Sequence, residues 1–168
     1  RTYYGRIYES KFITGAIAGA MANDDRIGYI AAYPIFGVTA SINAFALGAQ
    51  LTNPRAQVEV RWSNLKDALQ QDFLADGIRV VSNRGFPTQQ QMNHDFCNYG
   101  TYLMDDMGEL IPLGTPLWVW GKFYEFALRN IFSGGWKHSS EGKALNYWLG
   151  MDSGVIDLEL SRKLPAGV

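Results

Sequence analysis

The chain has 168 residues, a length typical of one domain and sufficient to bury a substantial core. Its composition, 47% hydrophobic, 14% aromatic and 18% charged, excludes an intrinsically disordered chain. The formal net charge of −1 gives no sign of a phosphate-binding surface, so we expect no nucleic-acid partner. No apolar run is long enough to span a bilayer.

The first predicted element is a helix over residues 3–22, where apolar side chains recur at helical spacing. Within it, Gly15 and Gly19 form a small-residue stripe, which indicates close packing against another element. We divide the single domain into a leading helix at 1–24, repeated β-α units at 25–145, and terminal strands with a tail at 146–168.

From residue 25 onward, strand-like and helix-like segments alternate, and the helices end at Gly, Asn or Pro. The predicted strands are Ile27–Ala32, Val58–Trp62, Ile78–Ser82, Thr101–Met104, Asn146–Leu149 and Val155–Leu158. The predicted helices are Val38–Gln50, Leu65–Ala75, Thr88–Cys97 and Leu117–Phe132. Residues 152–154, between the last two strands, resemble a hairpin turn.

This alternation predicts one α/β domain with a mainly parallel, Rossmann-like sheet and helices on both faces. In such a sheet, ligands bind beyond the carboxyl ends of the strands. The loops that follow the strands are therefore the first candidates for a binding site, and we expect them to lie at one edge of the sheet.

These loops offer aromatic rings, amides, one guanidinium and two carboxylates, a set that suits a neutral ligand with a flat ring and hydroxyl groups. Structural roles remain possible for the same residues. The aromatic rings also suit a hydrophobic core, the two carboxylates also suit a helix N-cap, and the guanidinium also suits a solvent-facing position. The candidate residues are Tyr33, Phe36, Asn64, Asn83, Arg84, Asp105 and Asp106.

Two aromatic residues, Tyr33 and Phe36, flank Pro34 where a polar loop is usual. The turn is either a buried corner or a surface that faces a ligand. The loop composition alone supports both interpretations.

The sequence contains few features that indicate an enzyme or a metal-binding protein. The sequence has no G-x-G-x-x-G after a strand, no G-x-x-x-x-G-K-[ST] and no G-x-S-x-G. Cys97 is the single cysteine, and His94 and His138 lack ligand-like spacing. We therefore predict a binding protein rather than an enzyme, with no catalytic residues, no metal and no cofactor.

The order of several motifs resembles the basic membrane protein (BMP) family of substrate-binding proteins, which includes purine-nucleoside-binding lipoproteins of bacterial ABC transporters. The motifs are YYGRIYESKFITGAIAG, IGYIAAYPIFGVTASINAFALGAQ, PLWVWGKFYEFALRNIFSGGW and YWLGMDSGVIDLEL. They cover nearly all of the chain in the family's order.

The resemblance implies a type I periplasmic-binding-protein fold, in which two α/β lobes close over a ligand. This chain looks like the C-terminal lobe alone, without the N-terminal lobe. The family implies a nucleoside or purine-like ligand, an ABC permease as partner, and an extracytoplasmic location, periplasmic or as a membrane-anchored lipoprotein. An uncovered cleft face would also favour self-association.

The family's site residues are carried over by motif. An aspartate after the fourth strand would hold ribose hydroxyls, which implies Asp105, or Asp106 in the alternative register. The WVWGKFY segment would place Trp120, Gly121 and Lys122 near the cleft, with Tyr33 and Phe36 on its wall.

Two cleft loops depart from the family pattern. NRGFPT stands where relatives often carry a His-x-Asp-Ser-Pro type stretch, and the segment after Trp62 is short. Both departures bear on the ligand more than on the fold. A ligand-sensing domain of a regulatory protein, and a degenerate lobe that acts as an interaction module, are the alternative functions.

Overall fold

The structure, a computed structural model, describes residues 2–64, 69–83, 100–135 and 146–168. A short 3₁₀ turn precedes the last strand. The elements in chain order are β1 (Thr2–Gly5), α1 (Tyr8–Met21), β2 (Arg26–Ala31), α2 (Val38–Thr52), β3 (Gln57–Trp62), α3 (Leu69–Ala75), β4 (Val80–Ser82), β5 (Thr101–Met104), β6 (Leu110–Trp118), α4 (Trp120–Phe132), β7 (Asn146–Leu149) and β8 (Ile156–Leu160).

The main sheet has six strands in the order β3-β2-β4-β5-β6-β8, and β1 and β7 form a second, parallel pair. In the main sheet, β2 pairs in parallel with β3 and β4, as the β-α alternation predicts. The pairs β4-β5, β5-β6 and β6-β8 are antiparallel. The predicted α/β class is confirmed, with the parallel strands of the main sheet confined to one half of it.

Helices cover both faces of the sheet because successive side chains of β2 point to opposite sides. On one face, Ile17 of α1 and Phe45 of α2 pack with Tyr29 of β2. On the other face, Phe73 of α3 packs with Ile30. The sheet therefore lies between two apolar layers, which is the predicted arrangement.

The close packing of α1 against α2 depends on glycine. A Cβ atom placed on Gly15 would lie 2.1 Å from the carbonyl oxygen of Phe45, and one on Gly48 would lie 1.9 Å from that of Phe12. Any side chain at either position would push the helices apart. The small-residue stripe predicted in the first helix is thus confirmed as a helix contact.

Several predicted boundaries are wrong. The leading helix is preceded by β1, so residues 3–5 are strand and α1 begins at Tyr8. Strand β6 was not predicted, since Pro112 and Pro116 disfavour a strand inside a sheet, and the helix expected from Leu117 begins at Trp120.

The two terminal strands do not form a hairpin. Strand β7 pairs with β1, whereas β8 pairs with β6, and Met151–Ser153 forms the 3₁₀ turn between them. The predicted helix Thr88–Cys97, and residues 65–68 of the predicted helix Leu65–Ala75, lie outside the described residues.

Candidate ligand-binding site

A cavity of about 340 Å³ opens at the carboxyl ends of β2, β4 and β6. Ala31, Asn83 and Trp118 mark these ends and line it. Strand β6 ends at the same edge as β4 because two successive antiparallel pairings separate them. The volume lies within the range of small-molecule sites, roughly 300–1,000 Å³, and the position is the one expected for a ligand of an α/β sheet.

Aromatic side chains form much of the cavity wall. Tyr4 contacts Phe36 edge-on, with ring centroids 5.3 Å apart. Trp118 stacks on Trp120 at 4.9 Å with the ring planes 8° apart, and Tyr3 meets Trp118 edge-on at 6.2 Å. These rings offer broad apolar faces, on which a flat ring or the apolar face of a sugar can pack.

The part of the wall that β1 contributes is anchored by Arg6 and Glu9. The Arg6 Nη1 donates to the carbonyl oxygen of Trp148 at 3.1 Å, and its Nε donates to Glu9 Oε1 at 2.5 Å. The second carboxylate oxygen of Glu9 accepts from the backbone N–H of Met151 at 2.8 Å. These bonds connect the start of α1 and the residue that follows β1 to β7 and to the segment after it.

One charged side chain, Lys11, lies among the described residues that line the cavity. It is almost completely buried, and α1 presents it on the same stripe as Ile7 and Ala18. Its Nζ donates to Ser82 Oγ at 2.9 Å and to the carbonyl oxygen of Asn83 at 3.2 Å. Burial lowers the pKa of Lys11 to about 7 because removal from water penalises the ammonium.

The cavity tyrosines are neutral donors at physiological pH. Burial raises the pKa of Tyr3 to about 12 and also raises the pKa of Tyr29. The ring of Tyr29 lies under Lys11, with Nζ 5.2 Å from the ring centroid. The Tyr3 hydroxyl is buried and has no hydrogen-bond partner within the described part of the chain.

The structure brings several of the predicted residues to this edge. Phe36 and Asn83 line the cavity. Tyr33 follows β2 and Asn64 follows β3, both exposed and outside the lining, while Trp120 is attached to the site through its stacking on Trp118.

Gly121 and Lys122 lie in the first turn of α4. The position of Gly121 is open, since a Cβ there would meet no atom within 4 Å, and Lys122 pairs with Glu125 at 3.7 Å. Neither lines the cavity. Arg84 lies outside the described residues.

The turn around Pro34 is not a buried corner. Tyr33 is 53% exposed and Phe36 is 79% exposed, which excludes the core interpretation for both rings. Only Phe36 lines the cavity.

The prediction that all strand-following loops share one edge is wrong for Asp105 and Asp106. Strand β5 runs antiparallel to β4, so it ends beside the start of β4, where the Met104 N–H donates to the carbonyl oxygen of Arg79 at 2.8 Å. Asp106 pairs with Arg79 at 2.7 Å. Both aspartates therefore lie at the edge opposite the cavity.

Asp105 has a local structural role there. Its Oδ1 accepts from the backbone N–H groups of Met107 at 2.9 Å and Glu109 at 2.8 Å. These bonds close the turn between β5 and β6 in the manner of an Asx turn. Of the two uses considered for this carboxylate, the structure supports a backbone cap, although of a turn and not of a helix.

Sequence reasoning missed Lys11, Tyr3, Tyr4, Tyr29 and Trp118, because none of them follows a strand predicted from the pattern. For Lys11 a signal was present: a lysine within the apolar stripe of a helix is unusual. The sequence pattern places the two tyrosines of β1 in a helix. Trp118 ends β6, a strand that the pattern does not predict because β6 contains two prolines.

Within the described ranges, no three Asp, Glu, His or Cys residues are grouped to hold a metal ion. No described helix has both the length and the apolar character needed to cross a membrane.

Comparison with known proteins supports the motif resemblance. The Bmp family model, described as ABC transporter substrate-binding protein PnrA-like, matches residues 1–80. The chain is 34% identical over 168 residues to a "putative ABC transporter glucose-binding protein" of Haloferax volcanii, covering 94% of this chain and 41% of that protein. It is 30% identical over 176 residues to a purine-binding protein of Brucella abortus, covering 99% and 49%. The chain thus spans less than half the length of these curated relatives.

Two solved structures share the fold. A transcriptional activator of the comK gene from Bacillus halodurans matches with a TM-score of 0.63 at 17% identity, covering 98% of this chain and 58% of that one. An ABC transporter solute-binding protein from Conexibacter woesei matches with a TM-score of 0.60 at 15% identity, covering 98% and 57%. The predicted fold is confirmed. The sequence matches show that this chain is similar to the Bmp family of ABC-transporter substrate-binding proteins.

Proposed function

We propose that this chain forms one lobe of an ABC-transporter substrate-binding protein and that its cavity is one wall of the ligand cleft. The observation that carries the proposal is the position of the cavity. It opens at the carboxyl edge of β2, β4 and β6, and the residues of β1, α1 and β2 that line it fall within the family match.

The ligand that fits this wall best is a nucleoside or a related small molecule. Phe36, Tyr4 and Trp118 supply ring faces, and Asn83, Ser41 and Lys11 supply polar groups at a few points. A nucleoside combines a flat base with a sugar, and the two curated relatives are named for purine and for glucose.

A second lobe would complete the cleft. Within the described part of the chain, no side chain of α4 is fully buried, and Phe132 at its end is 85% exposed. Tyr124 and Leu128 are exposed on the same helix. A large exposed apolar surface usually meets a partner. We assign an N-terminal lobe as the partner of α4, because the curated relatives are long enough to contain a second lobe. Without that lobe, the cleft side of the chain favours self-association.

The proposed partner on the membrane is an ABC permease, and the proposed location is extracytoplasmic, either periplasmic or membrane-anchored as a lipoprotein. A ligand sensor is the alternative, since the comK activator has the same fold. The sequence relatives favour the transporter, because the two at 30% identity or more are named as binding proteins.

Calorimetry on the full-length protein tests the ligand class. Adenosine, inosine, adenine and glucose are titrated in turn. We expect a nucleoside to bind with a Kd of about 1 μM or less, and the free base and glucose to bind more weakly. Binding of glucose alone, or of none of the four, would overturn the nucleoside assignment.

A second experiment separates transporter from sensor. Uptake of labelled nucleoside is compared in cells with and without the gene. Loss of uptake supports the transporter component, whereas normal uptake with altered transcription supports the sensor.

A further inference from the structure

We infer that Tyr4 is a further ligand-contacting residue of the cleft, and that its phenol hydroxyl forms a hydrogen bond with an oxygen or nitrogen atom of the ligand. The inference deepens the proposed function and rests on it. It places a polar group of the ligand, such as a sugar hydroxyl or a heteroatom of the base, beside the start of α2.

The Tyr4 ring is held in the cavity wall by two aromatic neighbours. Its centroid lies 5.3 Å from that of Phe36 and 4.7 Å from that of Trp148. Its hydroxyl lies over Gly37, since a Cβ atom placed on Gly37 would come within 2.7 Å of the phenol oxygen. Both Tyr4 and Gly37 line the cavity, so the hydroxyl lies at the wall where α2 begins.

The sequence provides the space for this hydroxyl through Gly37. Residue 37 is the N-cap of α2 and has a φ of 86°, in the left-handed region that glycine adopts readily. Because glycine has no Cβ atom, the phenol oxygen fits against the backbone there. The turn that carries Phe36 therefore also positions the hydroxyl of Tyr4.

The fold itself does not use the Tyr4 hydroxyl. This hydroxyl forms no hydrogen bond with a described residue, whereas Ser41 Oγ, on the same wall, donates to the carbonyl oxygen of Gly37 at 3.0 Å. The Tyr3 hydroxyl also lacks a described partner, but it is fully buried. Of the two tyrosines of β1, half-buried Tyr4 is thus the one whose hydroxyl a ligand can reach.

A polar group that the fold leaves unused, on a largely apolar wall, is suited to orient a small ligand. Ligand sites combine apolar and aromatic lining with a few polar groups that fix the orientation of the ligand. Burial raises the pKa of Tyr4, so its phenol is neutral at physiological pH and can both donate and accept a hydrogen bond. Because Tyr4 contacts Phe36, a base packed on Phe36 would have its polar atoms close to this hydroxyl.

Calorimetry with adenosine and inosine on the full-length protein tests the inference through Tyr4→Phe, which removes the hydroxyl and keeps the ring. A neutral hydrogen bond corresponds to about two- to tenfold in affinity. Tyr4→Phe should therefore bind the tighter of the two nucleosides about two- to tenfold more weakly than the wild type does. Its melting temperature without ligand should stay within about 2 °C of the wild-type value, because the hydroxyl bonds no described residue.

Tyr147→Phe is the matched control, since it removes a hydroxyl from β7, the strand that pairs with β1, outside the lining of the cavity. Tyr147 lies opposite Tyr3 in the register, on the other face of the two-stranded sheet from Tyr4, and its ring contacts Phe126 of α4. Tyr147→Phe should keep the nucleoside affinity within about twofold of the wild type.

Two results overturn the inference alone: an unchanged nucleoside affinity in Tyr4→Phe, or an equal loss of affinity in Tyr4→Phe and Tyr147→Phe. A clear fall in the melting temperature of Tyr4→Phe, or failure of this variant to fold, would assign the hydroxyl to the fold and overturn the inference as well. Failure of both nucleosides to bind the wild type overturns the proposed function, and the inference with it.

Discussion

The position and role of Asp105 depend on the direction of the strand that precedes it. A carboxylate after a parallel strand faces the ligand edge of the sheet, and the family resemblance implied a ribose contact there. Because β5 is antiparallel to β4, the same carboxylate lies at the other edge and caps the turn before β6.

Asp105→Ala should therefore destabilise the fold and leave ligand selectivity unchanged. Loss of the two turn hydrogen bonds is expected to lower the free energy of unfolding by about 1–2 kcal/mol. Urea denaturation measures this change, and calorimetry gives the ratio of nucleoside to free-base affinity. Asp106→Ala is the control, since its exposed ion pair with Arg79 contributes less than about 1 kcal/mol. A selective loss of nucleoside affinity in Asp105→Ala would restore the ribose-binding role.

Lys11 makes stability depend on pH. Its pKa in the folded protein, about 7, lies below the ordinary value of 10.5, so the unfolded chain binds the additional proton between these values. The contribution of this group to the free energy of unfolding therefore increases as pH rises from about 7 to about 10.

Lys11→Met should lack this increase. We expect the wild type to gain stability relative to Lys11→Met between about pH 7 and pH 9.5, a window that stays below the raised pKa of Tyr3. Urea denaturation of both proteins across the window measures the difference. Parallel stability curves for the two proteins would contradict the buried position of the amine.

At the scale of elements, the α1-α2 contact fixes one wall of the molecule. The helices approach so closely that backbone carbonyl oxygens occupy the space where side chains of Gly15 and Gly48 would be. Because Lys11 lies on α1 and Ser41 lies on α2, this contact also positions two lining residues of the cavity.

Gly48→Ala should destabilise the protein through this contact. The added methyl group would overlap the carbonyl oxygen of Phe12, and overpacking of this kind costs about 1–3 kcal/mol. Gly121→Ala in α4 is the matched control, because the space around Gly121 is open and alanine favours a helix by roughly 0.5–1 kcal/mol. Thermal unfolding compares the two variants. Equal melting temperatures would show that α1 and α2 are not in close contact.

The elements that the sequence predicts well are those whose periodicity is undisturbed. Helix α2 begins at Val38 as predicted and extends to Thr52, two residues beyond the predicted end. Strands β2 and β3 agree to within one residue at each end. Strand β6 was missed because two prolines interrupt its pattern, and the pairing of β7 with β1 joins residues too far apart in sequence for local turn chemistry to indicate.

At the scale of the whole molecule, the predicted residues that lie together at the cavity are those at the carboxyl ends of the parallel strands. Phe36 and Asn83 reach the cavity because they follow parallel strands, a rule that the sequence pattern supports. Lys11 and Tyr3 were missed because they come from the inside of a helix and from a strand of the second sheet. Their placement depends on how α1 and β1 pack on the main sheet, which a pattern of residue types does not specify.

Above all, we propose that the cavity forms one wall of a ligand cleft. Calorimetry with Phe36→Ala and Met107→Ala in the full-length protein tests this proposal most directly. Both side chains are largely exposed, at 79% and 87%, so neither truncation should disturb the core. Phe36 lies at the cavity and Met107 lies in the turn at the opposite edge.

Phe36→Ala should weaken nucleoside binding by about five- to a hundredfold, the range that loss of stacking between a base and an aromatic ring produces, at about 1–3 kcal/mol. Met107→Ala should leave the affinity within about twofold of the wild type. The opposite outcome, unchanged affinity in Phe36→Ala and a large loss in Met107→Ala, would place the ligand at the other edge of the sheet and contradict the account.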